Sequence, residues 1–288
     1  MSWRYLGGVG ERVNEISEAE ALEDWHLTHT AEIEEQKRNR RRNNMPKVNE
    51  QIVKQLETMG FDDTIRERPR RLVASVDGMP KTGKTHFALT APEPIFFINI
   101  DIGTEGVVDK FQAEGKRIYL YDVRVPRTAS KEIWVPMWEN LKKIFEKVYQ
   151  VGAGSVIVDT DTEAYELARL AKFGKLVQVL PQHYAEVNNE YREVLRLAYD
   201  SAMNSIFIHK MKPKYINNAR TNEYEPSGMS DMEYNVQTNI TMYREDTDEG
   251  PEFSAFIKDC RHNPIVNGEW LKGEMCSFEF LLSLIHGD

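Results

Sequence analysis

Cysteine is scarce in this sequence of 288 residues, which contains only Cys260 and Cys276. Two cysteines are too few for a disulfide scaffold or for a zinc site built from four thiolates. The sequence also lacks any long apolar run of about 18 residues, and its first residues lack the short apolar core of a signal peptide. We therefore predict that the protein does not span a membrane and is not exported. The low cysteine content favours the reducing cytoplasm.

Positive charge is also in deficit, since 37 Lys and Arg residues stand against 46 Asp and Glu residues, a formal net charge of −9. A protein with this overall field does not coat nucleic acid indiscriminately. Charges are screened over about 8–10 Å at cellular salt, so a local basic groove could still hold a strand. The net charge therefore weakens a role in nucleic-acid binding without excluding it.

Residues 1–68 differ in composition from the rest of the chain. They are acidic over 11–35 and sharply basic over 37–42, and their apolar residues show only a weak helical spacing. A short helix is predicted over 48–59, ended by Gly60. We interpret this part as a charged helical extension without a core of its own. Its basic run is either a solvated helix end or a contact with nucleic acid or a neighbouring subunit.

From residue 69 onward, short β-branched runs alternate with helical patterns. The candidate strands are 72–76, 95–101, 117–122, 155–159, 205–209, 239–243 and 253–258. The candidate helices are 84–89, 105–113, 130–151, 161–173, 184–203 and 278–285. This alternation predicts an α/β domain over 69–288, with a mostly parallel twisted sheet flanked by helices. The last strands have little helix between them and indicate an antiparallel continuation.

Residues 78–85 read GMPKTGKT and match the phosphate-binding pattern G-x-x-x-x-G-K-[ST]. A β-branched strand precedes this loop and a helical pattern follows it, as the motif requires. Backbone N–H groups of such a loop cradle phosphate oxygens at the positive end of the helix. Lys84 would reach the β- and γ-phosphates, and the Thr85 hydroxyl would bind Mg²⁺. The residues predicted to bind the nucleotide are Gly78, Met79, Pro80, Lys81, Thr82, Gly83, Lys84, Thr85 and His86.

A buried strand ending in an aspartate supplies the acidic partner that such a loop needs for the metal. The sequence Ser-Val-Ile-Val-Asp over 155–159 places Asp159 at the end of an apolar strand. We therefore predict Asp159 as the second metal ligand beside Thr85. Asp161 is predicted to cap the following helix.

A second acidic edge follows the strand at 95–101. Asp101 and Glu105 are both candidates for the carboxylate that orients and deprotonates the attacking water. We expect their strand to lie beside the phosphate-binding loop. The sequence does not choose between the two carboxylates, and it contains no base-specific motif that separates ATP from GTP.

Three motifs, GMPKTGKT, NIDIGTEGV and VIVDTDT, occur in this order. In this arrangement the chain resembles the RecA-like core of P-loop ATPases. It looks most similar to phage-encoded "AAA" ATPases associated with single-strand annealing recombination. The resemblance covers about residues 70–265. It implies ATP and Mg²⁺ as cofactors, a homo-oligomer in the host cytoplasm, and single-stranded DNA with a single-strand-binding or annealing protein as partners.

The resemblance also implies roles for residues outside the loop. The strand at 205–209 is similar to the sensor strand of these ATPases, which would turn His209 toward the γ-phosphate; a hydrogen bond to a neighbouring loop is the alternative. Residues 253–264 resemble a strand end of hexameric RecA-type helicases, which would make Lys258 and Arg261 fingers that reach a neighbouring subunit's nucleotide. The spacing departs from that pattern by one residue, and a plain surface cluster is the alternative.

In RecA-like proteins a mobile DNA-contacting loop leaves the sheet after the sensor strand. The corresponding segment here is rich in lysine and asparagine, and it offers both phosphate neutralisation and a stacking ring. The residues predicted to contact DNA are Lys210, Lys212, Lys214, Tyr215 and Arg220. A solvated connecting loop is the alternative.

These observations predict an Mg²⁺-dependent ATPase that acts with single-stranded DNA in phage recombination or replication. Two other classes stay open. One is a P-loop kinase of a nucleotide or another small acceptor, although such kinases usually carry an arginine-rich lid. The other is a nucleotide-dependent module that binds a partner protein.

Overall fold

The computed structural model describes residues 34–35, 37–38, 49–64, 70–101, 103–104, 106–175, 180–217 and 219–287. The chain divides into two units, Met1–Glu67 and Arg68–Asp288. Within the described ranges, no helix is long and apolar enough to cross a membrane.

The first unit contains helix α1 (Glu50–Thr58), and residues 34–35 and 37–38 are also helical. The Asn49 side chain caps α1 by accepting hydrogen bonds from the backbone N–H groups of Gln51 and Ile52. None of the helix is buried, as the charged composition predicts. The rest of the basic run, residues 39–42, lies outside the described residues.

The second unit alternates strands and helices. Its strands are β1 (Val73–Gly78), β2 (Ile95–Asn99), β3 (Ile118–Asp122), β4 (Ser155–Asp159), β5 (Asn204–Ile208), β6 (Met211–Ile216), β7 (Ala219–Pro226), β8 (Thr238–Thr247), β9 (Gly250–Cys260) and β10 (Trp270–Lys272). Its helices are α2 (Lys84–Leu89), α3 (Val108–Ala113), α4 (Lys131–Tyr149), α5 (Asp161–Phe173), α6 (Tyr184–Asp200), α7 (Met232–Asn235) and α8 (Phe278–His286).

Eight strands form one sheet in the order β10-β9-β8-β1-β5-β4-β2-β3, and β6 and β7 form a separate two-stranded ribbon. The pairs from β3 through β8 are parallel, whereas β8–β9 and β9–β10 are antiparallel. The predicted α/β fold, with a mostly parallel sheet and an antiparallel continuation, is confirmed. In this order β4 and β5 separate β2, the strand that leads to Asp101, from β1, the strand that leads into the loop.

Each face of the sheet packs against its own set of helices. On one face, residues such as Val158 and Phe207 pack with α4, α5 and α6, around the fully buried Trp134 and Tyr191. On the other face, residues such as Ile157 pack with α2 and α8. Each fully buried side chain of this size contributes about 1.5–3 kcal/mol, so the two cores hold the sheet edge rigidly in place. The functional residues lie at that edge.

The structure differs from the sequence prediction mainly after β5, where a loop was expected. There β6 and β7 form the ribbon, and ion pairs from Lys212 to Glu225 and from Lys214 to Glu223 join its strands. Asn217 at its turn has a φ of 51°, a conformation that asparagine tolerates better than most residues. The asparagine pair at 217–218 is the sequence signal for this turn.

Gly154, just before the first residue of β4, tests how tightly the backbone is packed at the end of this strand opposite to Asp159. A Cβ atom there would lie 2.1 Å from the Pro94 carbonyl oxygen, whereas a Cβ atom at Gly152 would meet nothing within 4 Å. Both glycines have positive φ, 90° and 74°, so alanine strains the backbone at either position. We expect Gly154→Ala to lower the free energy of unfolding by about 1–3 kcal/mol more than Gly152→Ala, measured by urea denaturation. Equal losses would show that the contact with Pro94 relaxes without cost.

Candidate nucleotide-binding site

The loop between β1 and α2 has the backbone that its motif requires. Gly78, Lys81 and Gly83 have φ values of 145°, 65° and 85°. A Cβ atom at Gly78 would lie 2.5 Å from the Met242 carbonyl oxygen, so only glycine fits. The positive φ of Lys81, a residue with a Cβ atom, is strain of the kind found in ligand-binding loops. The Thr82 hydroxyl donates a 2.9 Å hydrogen bond to the Met79 carbonyl and fixes the turn.

Lys84 lies over this loop. Its Nζ donates hydrogen bonds of 2.8 Å to the carbonyl oxygens of Gly78 and of Met79. Burial lowers the pKa of Lys84, and the nearby carboxylates of Asp159 and Asp77 oppose that shift. The amine of Lys84 thus lies at the loop that was predicted to hold the phosphates.

Thr85 and Asp159 meet at the predicted metal position. The Thr85 hydroxyl donates a 2.6 Å hydrogen bond to Oδ2 of Asp159, although 74 positions separate the two residues. Asp159 is buried, and burial raises its pKa to about 6, against the Thr85 hydrogen bond and the charge of Lys84. A hydroxyl and a carboxylate are ligands that Mg²⁺ prefers, so these residues fit the cation. Among the described residues, no cluster of three or more acidic, His or Cys side chains could hold a metal ion.

Asp101 lies next to Asp159. Its backbone N–H donates a 3.1 Å hydrogen bond to the Asp159 carbonyl, since β2 and β4 are neighbours. Oδ2 of Asp101 lies 3.2 Å from Nζ of Lys210. Glu105, the alternative carboxylate, lies outside the described residues. The structure therefore brings Asp101, Asp159 and Lys84 to the same edge of the sheet. Of the two carboxylates predicted to activate water, only Asp101 lies among the described residues.

Lys210, which the sequence analysis placed in a DNA-contacting loop, directly precedes β6, and its side chain lies at this acidic edge. Its Nζ also lies 3.0 Å from Oε1 of Glu163, in the first turn of α5. Burial lowers the pKa of Lys210, but the hydrogen bonds and charges of Glu163 and Asp101 outweigh this and raise it. Sequence reasoning missed Glu163, although its place one turn after Asp159 was a usable signal.

A cavity of about 450 Å³ opens beside these groups. Asp101, Glu163, Lys210 and two arginines, Arg124 and Arg127, lie in its wall. Arg127 forms ion pairs with Glu163 and with Glu166. The cavity is thus lined by groups of both charges.

His209 faces away from the loop. Its side chain is 1% exposed, and Nδ1 lies 3.3 Å from the Ser227 carbonyl and 3.6 Å from Oδ2 of Asp161. Asp161 also accepts a hydrogen bond from the Tyr191 hydroxyl. The structure thus shows the alternative, a contact of His209 with the segment that follows the ribbon. Among the described residues, no contact of His209 with the phosphate-binding loop is seen. Asp161 is not the helix cap that we predicted, because Thr160 occupies that position.

Lys258 and Arg261 lie at the end of β9. Nζ of Lys258 is 2.8 Å from Oδ2 of Asp77, the residue before Gly78, and 2.9 Å from Oε1 of Glu233. Nη2 of Arg261 donates a 2.6 Å hydrogen bond to a backbone carbonyl of α7. Within one chain, Lys258 therefore neutralises a buried carboxylate beneath the loop. That Lys258 and Arg261 act on the nucleotide of a neighbouring subunit stays a prediction.

The remaining residues predicted to contact DNA are carried by the ribbon. Lys212 and Lys214 are paired across it with glutamates. Tyr215 is 61% exposed and lies opposite Arg220. The predicted contact with DNA is not tested by this geometry.

A second cavity, of about 530 Å³, lies on the other side of the loop. His86 and Gly83 line it from α2, and Met242 and Phe253 line it from β8 and β9. The Phe253 ring lies 3.0 Å from the position of a Cβ atom at Gly83. Burial lowers the pKa of His86. The sequence predicted His86 but missed Met242 and Phe253, because no local pattern links residues so far apart in the chain.

The loop and its acidic partner, at the edge of a mostly parallel sheet, define a P-loop NTPase. The chain belongs to the AAA domain family, which matches residues 70–261. Members of this family are P-loop ATPases that bind nucleotide, usually with Mg²⁺.

Among solved structures, the chain is similar to a KaiC-like protein from the hyperthermophilic archaeon Pyrococcus horikoshii OT3. The identity is 14%, the match covers 70% of this chain and 84% of that chain, and the TM-score is 0.41. No curated protein matches the chain.

The raised pKa of Asp159 makes stability depend on pH. An unfolded aspartate titrates near 3.9, and Asp159 in the folded protein titrates at about 6. The folded state therefore binds more protons between these values, so the carboxylate costs stability progressively as the pH rises through that window. We expect Asp159→Asn without nucleotide to melt near the wild-type temperature at pH 4 and above it at pH 7.

Thermal denaturation at several pH values measures this difference. Asp200→Asn, at the exposed end of α6, is the control and should show no such trend. A wild type that gains stability relative to Asp159→Asn between pH 4 and 6 would contradict the assigned burial effect.

Proposed function

We propose that this protein binds ATP with Mg²⁺ and hydrolyses it to ADP and phosphate. The observation that carries the proposal is the convergence of Lys84, Thr85 and Asp159 at one sheet edge, with Thr85 bonded to Asp159 at 2.6 Å. Family membership supports ATP as the nucleotide and hydrolysis as the activity.

Each group then has a task in phosphoryl transfer to water. The loop amides and Lys84 would hold the phosphates, and Thr85 and Asp159 would hold Mg²⁺, which neutralises charge on the phosphate oxygens. Asp101 would orient the water and take its proton. A bond forms between the water oxygen and the γ-phosphorus, and the bond from that phosphorus to the β–γ bridging oxygen breaks. ADP leaves with the electron pair.

The base and ribose would enter the second cavity, beside Gly83. Phe253 offers a ring for the base, and Met242 offers an adaptable apolar contact. This placement keeps the nucleoside on the side of the loop opposite to Asp101 and Lys210.

The partner that we propose is single-stranded DNA, bound by the ribbon β6–β7. Support comes from the exposure of Tyr215 and Tyr224, 61% and 42%, and from Arg220 opposite Tyr215. Because Lys212 and Lys214 are paired with glutamates, stacking would contribute more than phosphate neutralisation. The phage recombination role, an annealing or single-strand-binding partner and a homo-oligomer belong to the same proposal and rest on the sequence resemblance.

Loss of the loop lysine tests the ATPase proposal. Lys84→Ala removes the cation that meets the β- and γ-phosphates, so turnover should fall by a factor on the order of 100 or more. Phosphate release from ATP with Mg²⁺ is the measurement, and Lys143→Ala, on the exposed surface of α4, is the control. Wild-type turnover in Lys84→Ala would remove this site from the reaction.

Loss of the ribbon tyrosine tests the DNA proposal. Tyr215→Ala should weaken binding of a fluorescent single-stranded oligonucleotide by about tenfold, since a stacked base contributes about 1–3 kcal/mol. Tyr243→Ala, which removes an aromatic side chain of similar exposure from β8, is the control. Unchanged affinity in Tyr215→Ala, measured by anisotropy, would exclude stacking on this ring.

A further inference from the structure

The cavity of about 450 Å³, here called the β2–β3 cavity, extends the candidate site outward along the sheet edge. In the register of the sheet, Asn99 of β2 stands between Asp159 of β4 and Asp122 of β3. Asp101 and Arg124 follow two residues after Asn99 and Asp122, and both line the cavity. Because neighbouring strands lie about 4.8 Å apart, Asp101 is one strand away from the candidate metal ligand and Arg124 is two strands away.

Arg124 differs from the other cations in the wall of the β2–β3 cavity. Lys210 pairs with Asp101 and with Glu163. Arg127 also pairs with Glu163. Arg124 is exposed, and it forms neither an ion pair nor a hydrogen bond with any residue in the part of the chain that the structure describes. Its guanidinium can therefore accept an anionic ligand, and the planar fork of N–H groups matches two phosphate oxygens at once.

Other groups in the wall limit how tightly the β2–β3 cavity could hold an anion. Asp122 accepts a 2.6 Å hydrogen bond from Nδ2 of Asn99, and Asp109 is a further carboxylate of the wall. Val108 and Leu120 line the cavity with apolar surface that donates no hydrogen bond. An anion here would meet Arg124 among several carboxylates, so it would be attracted weakly and would leave readily. A departing product requires this behaviour, and a permanently bound ligand does not.

The size and position of the β2–β3 cavity suit one product of the proposed reaction. A volume of about 450 Å³ holds a small oxyanion with several waters, since one water occupies about 30 Å³ in the liquid. After cleavage, ADP would still fill the loop and the second cavity beside Gly83. The phosphate would form on the side of Asp101, and the β2–β3 cavity leads from Asp101 to the exposed Arg124.

We propose that the β2–β3 cavity is a transient site for inorganic phosphate, which Arg124 binds after ATP cleavage and through which phosphate leaves while ADP stays at the loop. This inference rests on the proposed ATPase, and it adds the order in which the products leave and the residue that guides one of them. Arg124 takes no part in breaking the bond to the γ-phosphorus. Its removal therefore affects phosphate and leaves cleavage intact.

Product inhibition tests the phosphate site. Arg124→Met removes the charge, so the inhibition constant of inorganic phosphate should rise about threefold to fivefold, as expected for the loss of one exposed contact between charges. The inhibition constant of ADP should stay at its wild-type value. In the wild type, phosphate should inhibit non-competitively with ATP, because it binds while ADP holds the loop. Rates of ADP formation at several phosphate concentrations and constant ionic strength measure these constants.

Arg117→Met is the matched control, because Arg117 is an exposed arginine at the opposite end of β3. It should keep the wild-type inhibition constants. Arg124→Lys should keep most of the affinity for phosphate, because it retains a cation at the same position. Thermal melting of each variant shows whether the fold is retained.

Arg124→Glu tests the exit path. A carboxylate at this position repels the departing phosphate, so release should slow on the order of fivefold while cleavage keeps the wild-type rate. In a single turnover, acid-quenched samples measure cleaved phosphate, and a fluorescent phosphate reporter measures free phosphate. Free phosphate should then lag behind cleaved phosphate in Arg124→Glu more than in the wild type.

An unchanged phosphate constant in Arg124→Met, the same rise in Arg117→Met, or equal weakening of ADP and phosphate would overturn the phosphate site. Inhibition that is competitive with ATP, or release that keeps pace with cleavage in Arg124→Glu, would overturn the exit path. A wild type that forms no ADP would overturn the proposed ATPase together with this inference. A wild type that forms ADP, with variants at Arg124 that behave as the wild type does, would overturn this inference alone.

Discussion

The parallel pairing of β1, β5 and β4 is the constraint on which the site depends. It carries the ends of β1 and β4 to the same edge of the sheet, where the chain turns into α2 and α5. The 2.6 Å hydrogen bond between Thr85 and Asp159 exists only because this register is kept. A slip by one residue would turn Asp159 to the opposite face, since successive strand residues alternate between faces. The two cores on either side of the sheet therefore fix the geometry of the candidate metal ligands.

The same edge concentrates charge in a partly desolvated space. Lys84 and Lys210 lie among Asp159, Asp101 and Glu163, and burial shifts the pKa of Lys84 down and that of Asp159 up. Each shift marks a charge that the protein alone solvates less well than water does. A nucleotide with a divalent cation would supply counter-charges to both groups, and charges already placed at this edge would need little rearrangement to bind it.

Local motifs were predictable from the sequence because their chemistry and their geometry lie in one stretch of chain. The loop at 78–85 and the strand ending at Asp159 belong to this class, and so does the alternation that gives the parallel sheet. The strand order was not predictable in the same way. It places Asp101 beside Asp159 and separates β2 from β1, because later strands insert into the sheet at positions that no local pattern encodes.

Side-chain direction and long-range contact account for the other differences. His209 directly follows β5 and lies beside Asp161 of α5, while the next residue, Lys210, reaches the acidic edge. The two residues are consecutive, yet His209 is buried and Lys210 is a cation at the candidate site. Phe253 and Met242 approach the loop only through the antiparallel pairing of β8 and β9, which the sequence indicated without giving its register.

The contacts of Lys258 also bear on how a neighbouring subunit would contribute to the site. Asp77 is 1% exposed, and Nζ of Lys258 lies 2.8 Å from its Oδ2. Withdrawing Lys258 toward another subunit would leave this carboxylate buried beside Gly78 without that cation, which is costly in a low-dielectric environment. Withdrawing Arg261 would instead break a 2.6 Å hydrogen bond to a backbone carbonyl on the short helix α7. If one of the two residues acts on a neighbour's nucleotide, the energetics of the single chain favour Arg261 as the finger and Lys258 as the support of the loop.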